Sequence, residues 1–311
     1  MTSFALVGLG RMGANMARRL ARGGVRAAVY DQNPQTTAEV AQEIGGTAAA
    51  SLSDLIDKTQ SPRVVWLMLP AGEITENAIS AIQGHLSDGD VLVDGANSMY
   101  KDSVRRAATL KRNGKQFVDA GVSGGVHGLA NGYCLMVGGE EDAVDRVKPY
   151  LKLLAPAPTE PSGAPGSAGW LHAGPAGSGH FTKMVHNGIE YGMMQALAEG
   201  FAVMGAKKEF DLDLAAIGEL WRHSSVVRSW LLDLTAEALK DPAGIEAIEP
   251  VVADSGEGRW TAVESIDLGV PTPVMSLALM MRFATQGKND YAAKLLAKMR
   301  QGFGGHAVVK K

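Results

Sequence analysis

The sequence is poor in cysteine, and it lacks the residue groupings that several kinds of catalysis need. Cys134 is the only cysteine, so the chain can form neither an intrachain disulfide nor a cysteine-based metal site. We expect it to be a buried, unreactive thiol. Neither a His-Glu-x-x-His motif nor a cysteine cluster is present. We expect neither metal-dependent hydrolysis nor a serine or cysteine nucleophile, and no metal.

Long hydrophobic runs and a strong charge of either sign are also missing. The apolar stretch Val270–Met281 contains two prolines, ends at Arg282 and is shorter than the about 20 residues that span a bilayer. The apolar residues Phe4–Val7 are interrupted at once by Gly8, so we predict no signal peptide. The formal net charge of −3 offers no basic surface for nucleic acid or a membrane. We expect a cytoplasmic protein with neither of these partners.

The remaining composition indicates two folded domains. The chain has 311 residues, of which 46% are hydrophobic and 20% charged, as in packed globular proteins. In the first half, short apolar runs alternate with helical patterns, which predicts a parallel sheet with helices on both faces. The predicted strands are Phe4–Val7, Ala27–Tyr30, Val64–Leu69, Val91–Val93, Phe117–Asp119 and a short one near Trp170–His172. The predicted helices are Met16–Arg22, Ala38–Ile44, Thr75–Ile82 and Ser103–Asn113.

The second half has a helical pattern. We predict a long helix from Gly179 to about Lys207. A further helix is predicted across Leu214–Leu239, and two more within Thr272–Arg300. The predicted fold class is therefore an α/β Rossmann-type doubly wound domain over residues 1–174, followed by an all-α C-terminal domain over residues 175–311.

A glycine motif lies between the first predicted strand and the first predicted helix. Gly8, Gly10 and Gly13 form the GxGxxG pattern that binds the pyrophosphate of a dinucleotide. Gly8 permits a tight turn, Gly10 lets the backbone approach the phosphates, and Gly13 lets the helix pack closely on the strand. The free N–H groups of the helix N-terminus then face the phosphates. A plain turn is the alternative, and the flanking strand and helix favour the binding role.

Asp31 ends the second predicted strand, 18 residues after Gly13. A carboxylate at this position binds the hydroxyls of the adenosine ribose and repels the extra phosphate of NADP. The alternative is a surface aspartate in the turn before Asn33 and Pro34. The spacing favours NAD over NADP as the cofactor. The candidate cofactor-binding residues are Gly8, Gly10, Arg11, Met12, Gly13, Asp31, Leu69, Ala71 and Asn97.

The start of the long helix carries a second motif. Four polar residues spaced i, i+4, i+7 and i+8 share one helix face: Lys183, Asn187, Glu190 and Tyr191. Gly188 and Gly192 each cost about 1 kcal/mol relative to alanine inside a helix. Such glycines usually mark the close approach of another backbone or of a ligand. An exposed Lys–Glu face is the alternative, but it leaves the glycines unexplained.

These motifs resemble those of the 6-phosphogluconate dehydrogenase family, and more closely its short bacterial form than its long form. The resemblance runs over nearly the whole chain, and its most specific part is Lys183–Gly192. The other matching segments are Gly8–Gly13, Asp94–Ser98, Gly121–Gly125, His180–Thr182, Trp221–Arg222, Arg228–Ser229, Gly258–Thr261 and Arg300–His306. The resemblance implies oxidative decarboxylation of 6-phosphogluconate to ribulose 5-phosphate and CO2, with hydride transfer to NAD.

The resemblance implies that two residues carry the catalysis. Lys183 would be the general base on the C3 hydroxyl, which requires a neutral amine and therefore a lowered pKa. The protonated Lys183 would then stabilise the enolate that develops as CO2 leaves. Glu190 would protonate C1 of the enediol. No metal is required, because the ammonium serves as the electrophile.

The resemblance also implies a set of residues that bind the substrate. They are Asn97, Ser123, Gly124, Gly125, His186, Asn187, Tyr191, Ser255, Arg282, Arg300 and His306. Among them, Tyr191, Arg282 and Arg300 would hold the phosphate, since a guanidinium donates two parallel hydrogen bonds. Ser255 stands where the long form has a phosphate-binding lysine, which leaves Arg259 or the serine hydroxyl to compensate. In the family the C-terminal tail reaches a neighbouring subunit, so a homo-oligomer, a dimer or tetramer, is expected.

Two other functions stay open at this point. A non-decarboxylating β-hydroxyacid dehydrogenase of the 3-hydroxyisobutyrate type would share the fold, the glycine motif and the helical lysine. It has no need of Glu190, Tyr191, Arg300 and His306, which favour the phosphorylated substrate. A dinucleotide-binding protein without catalysis would have no reason to hold Lys183 and Glu190 on one helix face.

Overall fold

A computed structural model of the protein describes residues 2–157, 163–304 and 307–309. The chain divides into two compact units, Met1–Met184 and Val185–Lys311. The first unit contains an eight-stranded sheet with the order β3-β2-β1-β4-β5-β6-β7-β8. The strands are β1 (Thr2–Val7), β2 (Ala28–Tyr30), β3 (Thr47–Ala48), β4 (Thr59–Leu67), β5 (Val91–Asp94), β6 (Gln116–Ser123), β7 (Cys134–Gly139) and β8 (Trp170–Gly174).

Helices connect the strands of the first unit and form the second. The helices up to residue 154 are α1 (Arg11–Arg22), α2 (Pro34–Glu43), α3 (Leu52–Asp57), α4 (Glu73–Gln83), α5 (Tyr100–Arg112), α6 (Gly128–Asn131) and α7 (Glu141–Leu154). The later helices are α8 (Ser178–Ala206), α9 (Leu214–Trp221), α10 (Trp230–Leu239), α11 (Pro242–Glu246), α12 (Glu257–Asp267), α13 (Pro273–Thr285) and α14 (Asp290–Gly304). Across the described parts of the chain, no helix is long and apolar enough to cross a membrane.

Side chains of the central strands alternate between the two faces of the sheet. In β1, Phe4 and Leu6 belong to one buried apolar cluster, whereas Ala5 and Val7 belong to another. Helices α1 and α7 contribute to the first cluster, and α3, α4 and α5 contribute to the second. Successive side chains of a strand point to opposite faces, so each face needs its own layer of helices. The predicted doubly wound α/β domain followed by a helical region is confirmed.

One strand departs from the predicted parallel sheet. β7 runs antiparallel to β6, with Ser123 opposite Cys134, while the other neighbouring strands pair in parallel. The connection between β6 and β7 holds only a 3-10 turn at Gly125–His127 and the four-residue α6. A parallel pair needs a crossover of about a dozen residues or more. Cys134 is the first residue of β7 and is exposed, so the expectation of a buried thiol was wrong.

The helices of the second unit differ from the prediction in two respects: α11 and α12 were not predicted, and one predicted helix is divided. The long helix α8 has the predicted extent, but Leu214–Leu239 is not a single helix. Helix α9 ends at Trp221, and Ser224 has a left-handed backbone with φ of 60°. Such a residue cannot continue a right-handed helix. The Ser229 hydroxyl then accepts the N–H of Leu232 at 3.1 Å and starts α10, which is the capping role typical of serine.

Candidate active site

The glycine motif forms the turn between β1 and α1. Gly8 has φ of +90°, and a Cβ at this position would overlap the carbonyl oxygen of Met68. A Cβ at Gly13 would overlap the carbonyl oxygen of Gly8, so α1 packs directly on the turn. Gly10 is the N-cap of α1, and a Cβ there would meet nothing within 4 Å. The three glycines therefore have the geometry expected of a backbone cradle for phosphates, with Gly10 facing open space.

A cleft of about 370 Å³ adjoins this turn. Its wall consists of Gly10, Arg11, Met12, Gly13, Met68, Leu69, Pro70, Gly95, Ala96, Asn97 and Val122. The predicted cofactor residues Gly8, Asp31 and Ala71 are not part of this wall. Five residues of the wall were not predicted: Met68, Pro70, Gly95, Ala96 and Val122. Most of the missed residues directly follow β4 or β5, and the carboxyl ends of parallel strands are where doubly wound sheets bind ligands.

Asp31 lies beside the glycine turn, directly after β2. Its Oδ2 accepts the N–H of Leu9 at 2.7 Å, and its Oδ1 accepts the N–H of Asn33 at 2.9 Å. The hydroxyl of Thr37 accepts the N–H of Asp31 at 2.9 Å. These bonds fix the carboxylate next to the cradle formed by Gly10. The Asp31 carboxylate thus lies beside the glycine turn, where an acidic group that binds the adenosine ribose was predicted.

Strand β6 holds the first turn of α8 through a buried carboxylate. Asp119 is fully buried, and its two oxygens accept the N–H of Gly177 at 2.6 Å and the N–H of His180 at 2.8 Å. The first N–H groups of a helix have no partner within the helix, so a carboxylate here stabilises the helix start. The buried Ser103 hydroxyl also lies 2.7 Å from Nδ1 of His180. Neither Asp119 nor Ser103 was predicted.

Gly121 of the same strand sets the distance between β6 and the lysine of α8. A Cβ at Gly121 would overlap Cβ of Lys183 and would lie 3.0 Å from the carbonyl oxygen of Gly179. Lys183 is only 6% exposed. The helix can approach the strand this closely because residue 121 has no side chain. The position of the Lys183 Cβ is therefore set by the capped start of α8 and by the close contact with Gly121 of β6.

The segment after β6 contains the predicted substrate residues Ser123, Gly124 and Gly125. Ser123 is the last residue of β6, and Gly124 and Gly125 have φ of +130° and +52°. Backbone of this kind is strained for residues with a side chain. The two glycines thus turn the chain away from the carboxyl end of the strand.

Further along α8, the predicted polar residues lie next to one another. Nδ1 of His186 lies 2.9 Å from Oδ1 of Asn187 and 3.8 Å from Oε2 of Glu190. Asn187 is buried, whereas the Glu190 side chain is 39% exposed. A Cβ at Gly188 would come within 2.8 Å of the Thr261 side chain. This glycine therefore allows α12 to approach α8 closely through the Thr261 side chain.

Three of the predicted phosphate-binding residues form a cluster in the second unit. The Tyr191 hydroxyl lies 3.3 Å from the Ser255 hydroxyl, and the Arg282 guanidinium lies 3.5 Å from the centroid of the Tyr191 ring. The Ser255 hydroxyl donates to the buried Glu257 at 2.6 Å. A guanidinium over an aromatic face is stabilised by the ring's negative charge density. The structure therefore brings Tyr191, Ser255 and Arg282 together.

Arg259 lies beside this cluster. It pairs with Asp254 at 2.6 Å, and the Tyr191 hydroxyl donates to the same carboxylate at 3.5 Å. Arg300 lies exposed on α14. His306 lies outside the described residues. Among the residues that the structure describes, no group of three or more His, Cys, Asp or Glu side chains could hold a metal ion.

The doubly wound sheet, its glycine turn and the buried lysine of α8 define a class, the oxidoreductases that bind a nicotinamide dinucleotide. Residues 3–160 match the family model for the NAD binding domain of 6-phosphogluconate dehydrogenase. Residues 179–308 match the model for the C-terminal domain of 6-phosphogluconate dehydrogenase. The chain therefore belongs to the 6-phosphogluconate dehydrogenase family.

Individual relatives match over the full length of the chain. YqeC of Bacillus subtilis, a candidate 6-phosphogluconate dehydrogenase by name, is 39% identical over 98% of this chain and 99% of its own. The NAD(+)-dependent, decarboxylating 6-phosphogluconate dehydrogenase of Haloferax volcanii is 36% identical over 98% of each chain. The 6-phosphogluconate dehydrogenase structure from Plasmodium falciparum is 30% identical with a TM-score of 0.82. It aligns with 99% of this chain, which spans only 66% of that longer protein.

Proposed function

We propose that the protein oxidatively decarboxylates 6-phosphogluconate to ribulose 5-phosphate and CO2, with NAD as the hydride acceptor. The observation that carries this proposal is the placement of Lys183, a buried amine held against β6 in a fold that cradles a dinucleotide. Burying a charged amine costs free energy, because the amine loses its hydration. A general base must be neutral near pH 7, and burial favours the neutral amine.

The proposed reaction uses Lys183 twice. The neutral amine would accept the proton of the C3 hydroxyl. NAD held at the glycine turn would supply the acceptor for the hydride from C3. The product is a 3-keto acid, in which the electrons of the C1–C2 bond can flow into the ketone as CO2 leaves. The ammonium of Lys183 then lies where negative charge develops on the C3 oxygen and stabilises it.

Glu190 completes the proposed reaction. The enediol left after CO2 departs needs a proton on the carbon that carried the carboxylate. Glu190 lies seven residues after Lys183 on α8, so the two side chains share a helix face. Its side chain is partly exposed and lies 3.8 Å from His186. A carboxylic acid at this position can deliver the proton and then be reprotonated from solvent.

The substrate is proposed to lie along this helix face. Asn97, Ser123, Gly124 and Gly125 would bind the carboxylate and the first hydroxyls, and His186 and Asn187 the next ones. The cluster of Tyr191, Ser255 and Arg282 would bind the phosphate, together with Arg300 and His306. Of these groups, the Arg282 guanidinium offers the charge and the paired donors that phosphate prefers.

We propose NAD as the preferred cofactor and a homo-oligomer as the active form. The preference for NAD rests on Asp31, whose fixed carboxylate would repel the 2′-phosphate of NADP. The oligomer rests on α14, where large apolar side chains are exposed at Tyr291, Leu295, Leu296 and Met299. Contiguous apolar surface of this kind is typical of a face covered by another molecule. A second copy would also bring the tail that carries Arg300 to a neighbouring site.

A direct assay tests the proposal. The purified protein would be given NAD or NADP with 6-phosphogluconate, gluconate or 3-hydroxyisobutyrate, and released CO2 would be trapped. We expect NAD reduction with 6-phosphogluconate and one CO2 for each NADH formed. Activity confined to 3-hydroxyisobutyrate without CO2 would instead identify a β-hydroxyacid dehydrogenase. A higher kcat/KM with NADP than with NAD would contradict the role of Asp31.

A further inference from the structure

Arg106 is a buried arginine of α5 that lies outside the proposed reaction. It is 2% exposed, and its guanidinium makes three side-chain contacts. Nη1 donates to Oδ2 of Asp94 at 2.8 Å and to the Ser98 hydroxyl at 3.3 Å. Nε donates to Oε2 of Glu76 at 2.9 Å. One cation thus joins residues from three places in the chain.

Each contact of Arg106 anchors a loop of the cofactor cleft. Asp94 is the last residue of β5, and Ser98 closes the loop whose residues Gly95–Asn97 line the cleft. Glu76 lies in the first turn of α4, shortly after the loop Met68–Pro70 that lines the same cleft. Asp94 also accepts the N–H of Ala96 at 3.1 Å, which ties the loop to its own anchor. One guanidinium therefore contacts residues next to both loops.

The order of the sheet indicates which part of the dinucleotide these loops would meet. β1 carries the glycine turn, and β2, which is followed by Asp31, lies on one side of it. β4 and β5 lie on the other side. A dinucleotide with its pyrophosphate at Gly10 and its adenosine ribose at Asp31 extends the nicotinamide half over β4 and β5. The loops held by Arg106 are the ones that follow those two strands.

The chemistry of the cluster favours positioning over simple stabilisation. A buried ion pair contributes little net stability, because removing both charges from water offsets most of their attraction. A guanidinium, in contrast, presents several donors in a rigid plane and can fix the relative positions of three acceptors. A lysine would supply the charge without that geometry.

We propose that Arg106 is a positioning residue that fixes the two loops around the nicotinamide half of the dinucleotide. The inference rests on the dinucleotide binding that the proposed function requires, and it does not depend on which acid is oxidised. Removing the guanidinium should therefore weaken binding of the nicotinamide half and leave the adenosine diphosphate half bound as before.

Calorimetric titrations of Arg106→Lys and Arg106→Met with NADH and with ADP test this proposal. ADP carries the adenosine and the two phosphates but lacks the nicotinamide and its ribose. We expect the Kd of NADH to rise about tenfold or more, while the Kd of ADP stays within about twofold. Equal weakening of both ligands, or of neither, would overturn the proposal.

Arg105→Met is the matched control. Arg105 donates to both oxygens of Glu76 at 2.9 Å, but its side chain is 54% exposed, and it also donates to Asp102 on the same helix at 3.3 Å. We expect the Arg105 variant to bind NADH as the wild type does. A loss of NADH affinity equal to that of Arg106→Met would mean that the Glu76 ion pair alone is responsible. The proposed role of the Arg106 bonds to Asp94 and Ser98 would then be wrong.

Ser98→Ala keeps the test decisive if the Arg106 variants fail to fold. This change removes only the 3.3 Å bond and leaves the ion pairs of Arg106 intact. We expect the Kd of NADH to rise by about threefold and the Kd of ADP to stay unchanged. An unchanged Kd of NADH would contradict the proposed role of Arg106 in fixing the loop at Ser98. Failure of 6-phosphogluconate oxidation would be seen in the wild type and is thus separate from these binding results.

Discussion

At the scale of single residues, Lys183 is a buried side chain whose Cβ packs against Gly121 of β6. We expect Lys183→Met to lower kcat by about 10²- to 10⁴-fold, the range for loss of a general acid or base. The Kd of NADH should stay unchanged, because no cofactor contact is assigned to Lys183. Steady-state rates with 6-phosphogluconate and titration with NADH check both parts.

Lys207 offers a control for this substitution. It directly follows α8, is exposed and pairs with Glu209 at 3.2 Å. Lys207→Met should retain wild-type kcat and KM. If Lys183→Met lost less than about tenfold in kcat, another group would have to be the base.

The ionised carboxylate of Glu76 should make the free energy of unfolding depend on pH in the acid range. Hydrogen bonds from Arg105, opposed by partial burial and aided by Arg106, hold the pKa of its carboxyl at about 2, below the value of 4.5 for a free glutamate. The folded state therefore binds this proton less readily than the unfolded chain does. The stabilisation is complete above about pH 4.5 and is lost as the pH falls towards about 2.

The variant Glu76→Gln isolates this effect. Its unfolding free energy should lie below that of the wild type near neutral pH, and the difference should shrink as the pH drops from about 5 to about 3. Urea unfolding across that range measures the difference. Glu73→Gln, which changes an exposed glutamate in the same helical turn, should keep the wild-type pH dependence. If the difference in unfolding free energy between Glu76→Gln and the wild type stayed constant with pH, the charge of the carboxylate would not contribute to the stability of the folded protein.

At the scale of elements, the contact between β6 and α8 decides where the lysine lies. Gly121→Ala would place a methyl group on Cβ of Lys183, so α8 must shift or the strand must bend. We expect a loss of about 10²-fold or more in kcat, because a displacement of about 1 Å is enough to spoil a catalytic geometry. The melting temperature should also fall, since overpacking costs about 1–3 kcal/mol.

Gly192→Ala on α8 is the matched change without a clash. Its Cβ would meet Val274 at 3.4 Å, an ordinary van der Waals contact. Alanine is the better helix former by about 1 kcal/mol, so this variant should be as stable as the wild type or more stable. Equal losses of activity for Gly121→Ala and Gly192→Ala would contradict the special role of the β6 contact.

The elements that sequence patterns predicted are those with a regular apolar period. Strands β1, β2 and β5 and helix α8 lie where the alternation or the helical spacing placed them. Strand β7 was not predicted, and neither were its direction and the break after Trp221. The direction depends on the length of a connection, and the break on one residue, Ser224, with a left-handed backbone. Neither feature leaves a periodic signal.

At the scale of the whole molecule, the proposed oligomer makes a complementation test possible. Lys183→Met removes the base, and Arg300→Ala removes a proposed phosphate contact on α14. If the tail of one chain completes the site of another, a mixed oligomer of the two variants has sites in which both residues are intact. After the variants are unfolded and refolded together, about a quarter of the wild-type activity should return.

Activity is measured at a 6-phosphogluconate concentration well below the KM, where each variant refolded alone should be nearly inactive. A tail that serves its own chain predicts no recovery on mixing, because every site then lacks one of the two residues. Sedimentation of the wild type should give at least twice the 32.6 kDa mass of one chain. A monomer with full activity would contradict both the oligomer and the exchange of tails.

The sequence by itself determined the features that depend on neighbouring residues in the chain. The glycine motif, the strand–helix alternation and the shared helix face of Lys183 and Glu190 are local patterns, because backbone geometry repeats over a few residues. They were sufficient to predict the fold class, and the resemblance to the 6-phosphogluconate dehydrogenase family then implied the chemistry.

Only the tertiary structure decided how the site is held in place. Asp119 caps α8 from 61 residues away in the sequence, Gly121 meets Lys183 from a separate strand, and Arg106 reaches back 30 residues to Glu76. Buried polar groups must find partners wherever the folded chain supplies them. Such partners are chosen by packing in three dimensions, which no local pattern of residues records.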